Sequence, residues 1–83
     1  MAQAMSLNST LERTAVLIVE VYNFRISPDV LMFPEMCADL ARRGFRCFDL
    51  FDPMSRPTDG ALWQMDMVFL SSDRPEFQRN TYE

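Results

Sequence analysis

At 83 residues the chain has room for one domain, and a body of this size buries only about 60–65% of the surface its unfolded form exposes, so its core is small. It is nonetheless 48% hydrophobic, with seven Phe, seven Met and a single Trp, so apolar surface is either shared with something else or left exposed. The net charge of −4, with all eight basic residues Arg, argues against nucleic acid or an anionic membrane as the main partner. The lack of His removes the usual general base near neutral pH and the commonest metal ligand, and the lack of Lys removes Schiff-base and P-loop chemistry.

The N-terminal stretch MAQAMSLNSTLERT has no basic region followed by a long apolar run, so it does not read as a signal peptide. It reads as an arm over residues 1–14. No segment approaches the ~20 apolar residues of a membrane helix. The expected location is cytoplasmic, which makes the sequon at Asn8 a chance match. Residues 15–22, AVLIVEVY, form a first strand. An unbroken apolar run, rather than alternation, marks a strand covered on both faces. NFRISPDV then makes a loop, in which Pro28 disfavours helix at Ser27.

The pattern next predicts a helix over Pro34 to Arg43. Proline suits the first helical position, Glu35 and the pair Arg42 and Arg43 complement the helix dipole, and Gly44 fits the position just past the end. Phe33, Cys37, Leu40 and Ala41, with Met36 beside them, form one apolar stripe. FRCFDLFD (Phe45 to Asp52) is a second strand, PMSRPTDGAL a long loop with turn chemistry at Asp59-Gly60, and WQMDMVFL (Trp63 to Leu70) a third strand. With Trp63, Met65, Met67 and Phe69 on one face, this strand should pair antiparallel with the second. Residues 71–83 form a polar tail in which Phe77 and Tyr82 are docking candidates.

The order is thus strand, helix, strand, strand, with the first two strands parallel across the helical crossover. One helix covers one face of such a sheet. The other face leaves about several hundred Å² of apolar surface in water, more than a soluble monomer normally tolerates. The first strand therefore reads as an interior strand of a larger sheet.

Taken together, VLIVEVYNF, then FPEMCADLARRGFRCFDLFD, then RPTDGALWQMDMVFL with PEFQRNTY resemble the C-terminal part of FkbM-family methyltransferases, over roughly residues 15–82. The resemblance implies a partial Rossmann-like α/β sheet with a C-terminal antiparallel pair. It also implies methyl transfer from S-adenosylmethionine, typically to an oxygen of a small molecule or sugar. The family's cofactor site is built around an N-terminal glycine-rich loop and acidic residues on earlier strands. This sequence has only Gly44 and Gly60, each explained locally, so no cofactor-binding residue is assigned. No cofactor is expected to bind the chain alone, and it is expected to be inactive without a cofactor-binding half. The partner is then that missing half, or a second copy through the uncovered sheet face.

In open α/β sheets, ligands sit beyond the carboxyl ends of the parallel strands. Glu20, Tyr22, Asn23 and Arg25 fall there. Glu20 is the candidate catalytic carboxylate, able to accept a proton from an acceptor hydroxyl. Its structural alternative is a bond to an Arg or to backbone N–H groups. Asn23, Arg25, Arg56, Asp59 and Asp66 are substrate-side candidates. For Asn23 the alternative is an Asx turn, for Asp66 a cross-strand pair with Arg46, and for Arg56 and Asp59 a solvated loop. Trp63 and the methionine stripe of the third strand, Met65 and Met67, read as core. Cys37 and Cys47 also read as core, since no nearby base activates them and no ligand set surrounds them; a disulfide is the minor alternative. The rival to the methyltransferase reading is a small non-catalytic α/β module that dimerises or docks through its open face.

Overall fold

The computed structural model describes residues 16–83; the arm expected over 1–14 lies outside the described residues. Five elements follow in order: β1 (Val16–Tyr22), α1 (Phe33–Arg42), β2 (Phe45–Ser55), β3 (Leu62–Ser71) and the single-turn α2 (Pro75–Gln78). The three strands form one open antiparallel sheet in the order β1-β3-β2, with α1 over one face.

β1 and β2 run parallel to each other, as the crossover requires, but they are not neighbours. β3 lies between them and pairs antiparallel with both. The antiparallel pair expected from the second and third strands is present, and the same β3 also takes up β1, from Val16 opposite Leu70 to Tyr22 opposite Gln64. β1 is therefore an edge strand among the described residues, although its composition is that of an interior strand of a larger sheet. Its outer edge carries one isolated parallel bridge, between Tyr22 and Met32.

Alternation along the strands sorts their side chains. Val19 and Val21 of β1, and Met65, Met67 and Phe69 of β3, are buried against Met36 and Leu40 of α1 together with Phe45. Leu17, Phe33, Cys37 and Cys47 pack around that cluster, half-buried. The stripe on α1 is rotated from its expected centre: Met36 and Leu40 are fully buried while Ala41 faces solvent. On the opposite face of β1, Val16 and Ile18 are 49% and 40% exposed, so one helix covers one side only, as the helix count implied.

The helix ends follow their local chemistry. Glu35 at the third helical position accepts a hydrogen bond from the Met32 backbone N–H at 2.8 Å, which is the reciprocal arm of a capping box without a capping side chain at Met32. Arg25 reaches the same end, donating to the Val30 carbonyl at 3.0 Å and to Glu35 at 2.6 Å. At the other end Gly44 adopts φ +86° and its N–H bonds the Ala41 carbonyl at 3.1 Å, the left-handed stop expected of glycine there.

β2 runs three residues further than predicted, through Pro53, and the loop shrinks to residues 56–61. Proline is tolerated because β2 is the other edge strand and is bulged at this point. The register slips between Phe51 and Met54, and Asp52 takes φ +52°. A second bulge sets Phe48 aside between Cys47 and Asp49. In the tail Phe77 docks, packing edge-on against Phe48 with centroids 6.3 Å apart and under the Arg46 guanidinium at 4.8 Å. Tyr82 does not dock and is fully exposed.

Two substitutions separate the two sheet faces. Phe69→Ala removes a fully buried ring and should cost about 3–5 kcal/mol, enough to abolish cooperative urea unfolding in a small domain whose total stability is of that order. Ile18→Thr, on the open face, should change the unfolding free energy by no more than about 0.5 kcal/mol. Circular dichroism through a urea series reads both.

Candidate functional site

The carboxyl ends of β1 and β2 and the amino end of β3 meet at one end of the sheet. Five of the six candidate residues gather there; Arg25 alone is drawn away, into its contacts at the start of α1. The site has two parts, a polar block on the open face and an aromatic cleft beside the β2–β3 loop.

The polar block is set by register. Glu20 lies opposite Asp66, and Tyr22 lies opposite Gln64, so four polar side chains share the face away from α1. Tyr22 donates its hydroxyl proton to Glu20 Oε1 at 2.9 Å, and Gln64 Nε2 donates to Oε2 at 2.9 Å. Glu20 is thus held by two side-chain donors rather than by an Arg or by backbone. Asp66 faces Glu20 on one side and Phe51 on the other. The expected pair between Asp66 and Arg46 is not formed. Arg46 sits opposite Leu70, four residues along β3 from Asp66, and lies over Phe77 instead.

The phenol of Tyr22 is pushed above its ordinary value, first by its hydrogen bond to Glu20, then by burial and the charges of Glu20 and Asp66. Tyr22 is therefore a donor at neutral pH. The block presents a carboxylate of fixed orientation, a second carboxylate beside it and two donors. It is able to orient a hydroxyl or an amide.

The loop is closed by its own chemistry. Arg56 donates to both Asp59 oxygens, Nε to Oδ1 at 3.0 Å and Nη2 to Oδ2 at 2.7 Å. Asp59 Oδ1 also accepts from the Ala61 N–H at 3.0 Å, and the backbone of Arg56 bonds both Gly60 and Ala61. Gly60 takes φ +75°, which a turn of this kind asks of glycine. The Arg56 guanidinium holds the Asp59 carboxyl well below the usual range, at about 2, with the Ala61 N–H adding to the effect.

Arg56 also lies over the Phe24 ring at 4.4 Å, and Phe24 stacks on Trp63 with centroids 5.3 Å apart and planes 28° from parallel. Trp63 is not core, contrary to its place in the alternating pattern. The register skips it between the pairs Met54–Gln64 and Ser55–Leu62, so it is a bulged residue, and bulges re-aim side chains. Its carbonyl accepts from the Asn23 N–H at 3.0 Å, which anchors the end of β1. The Asn23 contact is through its backbone, and no Asx turn forms. Beside Trp63 lies an open cleft of about 330 Å³ lined by Met54, Ser55, Arg56, Pro57 and Trp63. A hollow of about 420 Å³ runs along the tail at Pro75, Glu76, Arg79 and Tyr82, remote from the strand ends.

Phe24, Gln64 and Met54 were not singled out by sequence reasoning, and Trp63 was read as core. Gln64 was findable from pairing register alone. The aromatic stack was not, because nothing in the spacing marks the bulge. Cys37 and Cys47 are free thiols, and burial pushes both up, which keeps them protonated and unreactive at neutral pH. Among the described residues no group of three or more potential ligands is placed to hold a metal, and no helix is long and apolar enough to cross a membrane. Comparison with protein-family models, with curated proteins and with solved structures finds no match.

Two titrations test the assigned geometry. In a Tyr82→Phe background, Glu20→Gln should bring the Tyr22 pKa down toward about 10, read from phenolate absorbance. Because the folded-state value is raised, the stabilising contribution is complete below the unfolded value and is lost as pH rises through the folded one, so stability declines on the alkaline side. At the loop the sign reverses. Asp59 stabilises the fold above its ordinary value of 3.8 and loses that effect as pH falls through about 2; Arg56→Gln should return its carboxyl-carbon NMR titration to near 3.8.

Proposed function

We propose that the chain is the C-terminal part of a Rossmann-like, S-adenosylmethionine-dependent methyltransferase domain of the FkbM kind, cytoplasmic, and inactive without a cofactor-binding half. The observation that carries this reading is the strand arrangement: parallel β1 and β2 flanking an antiparallel β3, with β1 apolar on both faces at a nearly unpaired edge. The resemblance implies a sheet that ends in such an antiparallel pair after a strand–helix unit. The outer edge of β1 is then the seam at which the rest of the sheet pairs, and this supplies a physical reason for an interior-type sequence in an edge position.

In that assembly the chain's own residues act on the acceptor side. Glu20, held by Tyr22 and Gln64, accepts a hydrogen bond or a proton from the acceptor hydroxyl. The cofactor supplies the methyl group from its sulfonium, and the protein supplies position and a dry pocket. A second reading is favoured by the exposure of Val16, Ile18 and Phe51: a non-catalytic module that pairs with another copy across its open face.

Thermal unfolding with and without S-adenosylmethionine, on the 83-residue chain and on any longer in-frame product encoded upstream of Met1, tests the reading. The longer product should gain several °C at saturating cofactor, as binding linkage requires, while the short chain should not move. A saturable shift of the short chain would overturn the assignment of the cofactor site to another segment. Stop codons upstream, together with a dimer in light scattering, would replace the reading with the second one.

A further inference from the structure

We infer that the cleft between Trp63 and the β2–β3 loop is a binding site for small, neutral, planar ring compounds. The inference is independent of the methyltransferase reading, since occupancy of the cleft requires no cofactor. Three observations carry it. First, the cleft is of about 330 Å³, at the small end of the range for ligand pockets, which suits one or two fused rings. Second, its wall is aromatic and apolar and is fixed in place. Trp63 lines the cleft and stacks on Phe24, whose ring also lies under the Arg56 guanidinium; Met54 and Pro57 complete the lining, and Ser55 adds one hydroxyl. A flat ring gains offset stacking on a surface of this kind beyond the area it buries. Third, the only charge on the wall is already matched. Arg56 holds Asp59 through two bonds, so the cleft has no unspent cation with which to select an anion. Charge and shape together choose an uncharged ring over a carboxylate or a phosphate.

The sequence holds a single tryptophan, so the indole N–H of Trp63 gives one isolated NMR resonance. The test titrates phenol, cyclohexanol and benzoate into the nitrogen-labelled 83-residue chain. Phenol should move the indole peak saturably, with a dissociation constant on the order of 1 mM, as expected for so small a ligand. Cyclohexanol and benzoate should each bind at least about threefold more weakly, for want of a π face and of a free cation respectively. Met54 is 52% exposed, so Met54→Arg should keep the dispersed backbone spectrum while abolishing the phenol response. The inference is overturned by linear shifts common to all three probes, or by a response that survives Met54→Arg. It is equally overturned by an indole peak that moves with protein concentration alone, because a second copy would then be the occupant.

Discussion

The structure depends on β3. Among the described strands it alone is paired with a strand on both edges, and its inward side chains, Met65, Met67 and Phe69, form the floor on which α1 rests. Without it β1 and β2 have no common partner, since they are parallel and separated. Nor does α1 hold them alone: its buried contacts are Met36 and Leu40, two residues that need a continuous sheet beneath them. The apolar burial that stabilises the domain is therefore conditional on pairing that is entirely non-local for β1.

The element order was legible because each local signal was strong and agreed with its neighbours. The alternation from Gln64 to Phe69, the glycine stop at Gly44 and the Pro34–Glu35 start are short-range rules, and the bounds of α1 and β3 that rest on such rules hold to within a residue. What the residues did not show was which strand stands in the middle. A continuous run such as Val16 to Val21 reports what would be needed to satisfy both faces, not what is present in the chain. Its place at the edge follows from β3 pairing on both sides, once with β1 and once with β2. The tolerance of Pro53 inside β2 likewise depends on edge position, which is a tertiary fact.

The candidate site was legible at the level of sheet end and not of contacts. Glu20 and Asn23 were chosen for lying near the carboxyl end of a parallel strand, Arg56 and Asp59 for their place in the long loop, and Asp66 for its unfavourable place within a strand; the topology gathers them. The donors that hold Glu20 come from Tyr22, two residues along the same strand, and Gln64, on another strand. The second of these depends on register. The Arg46–Asp66 pair failed for the same reason: four residues of offset along β3 separate Asp66 from the position opposite Arg46. The aromatic stack depends on a single skipped residue at Trp63, and no periodicity records that.

Glu20 and Gln64, which touch across β1 and β3, are 44 positions apart in the chain. During synthesis at ~5–20 residues per second, β1 would wait about 2–9 s before its partner strand exists. Through that interval its apolar residues have only nascent α1 and β2 to lean on, and β2 meets the chain ahead of β3 as well. Closing so long a loop slows folding relative to local pairing. The ordering of strands that makes β3 the centre of the sheet thus makes β1 dependent on a strand made well after it.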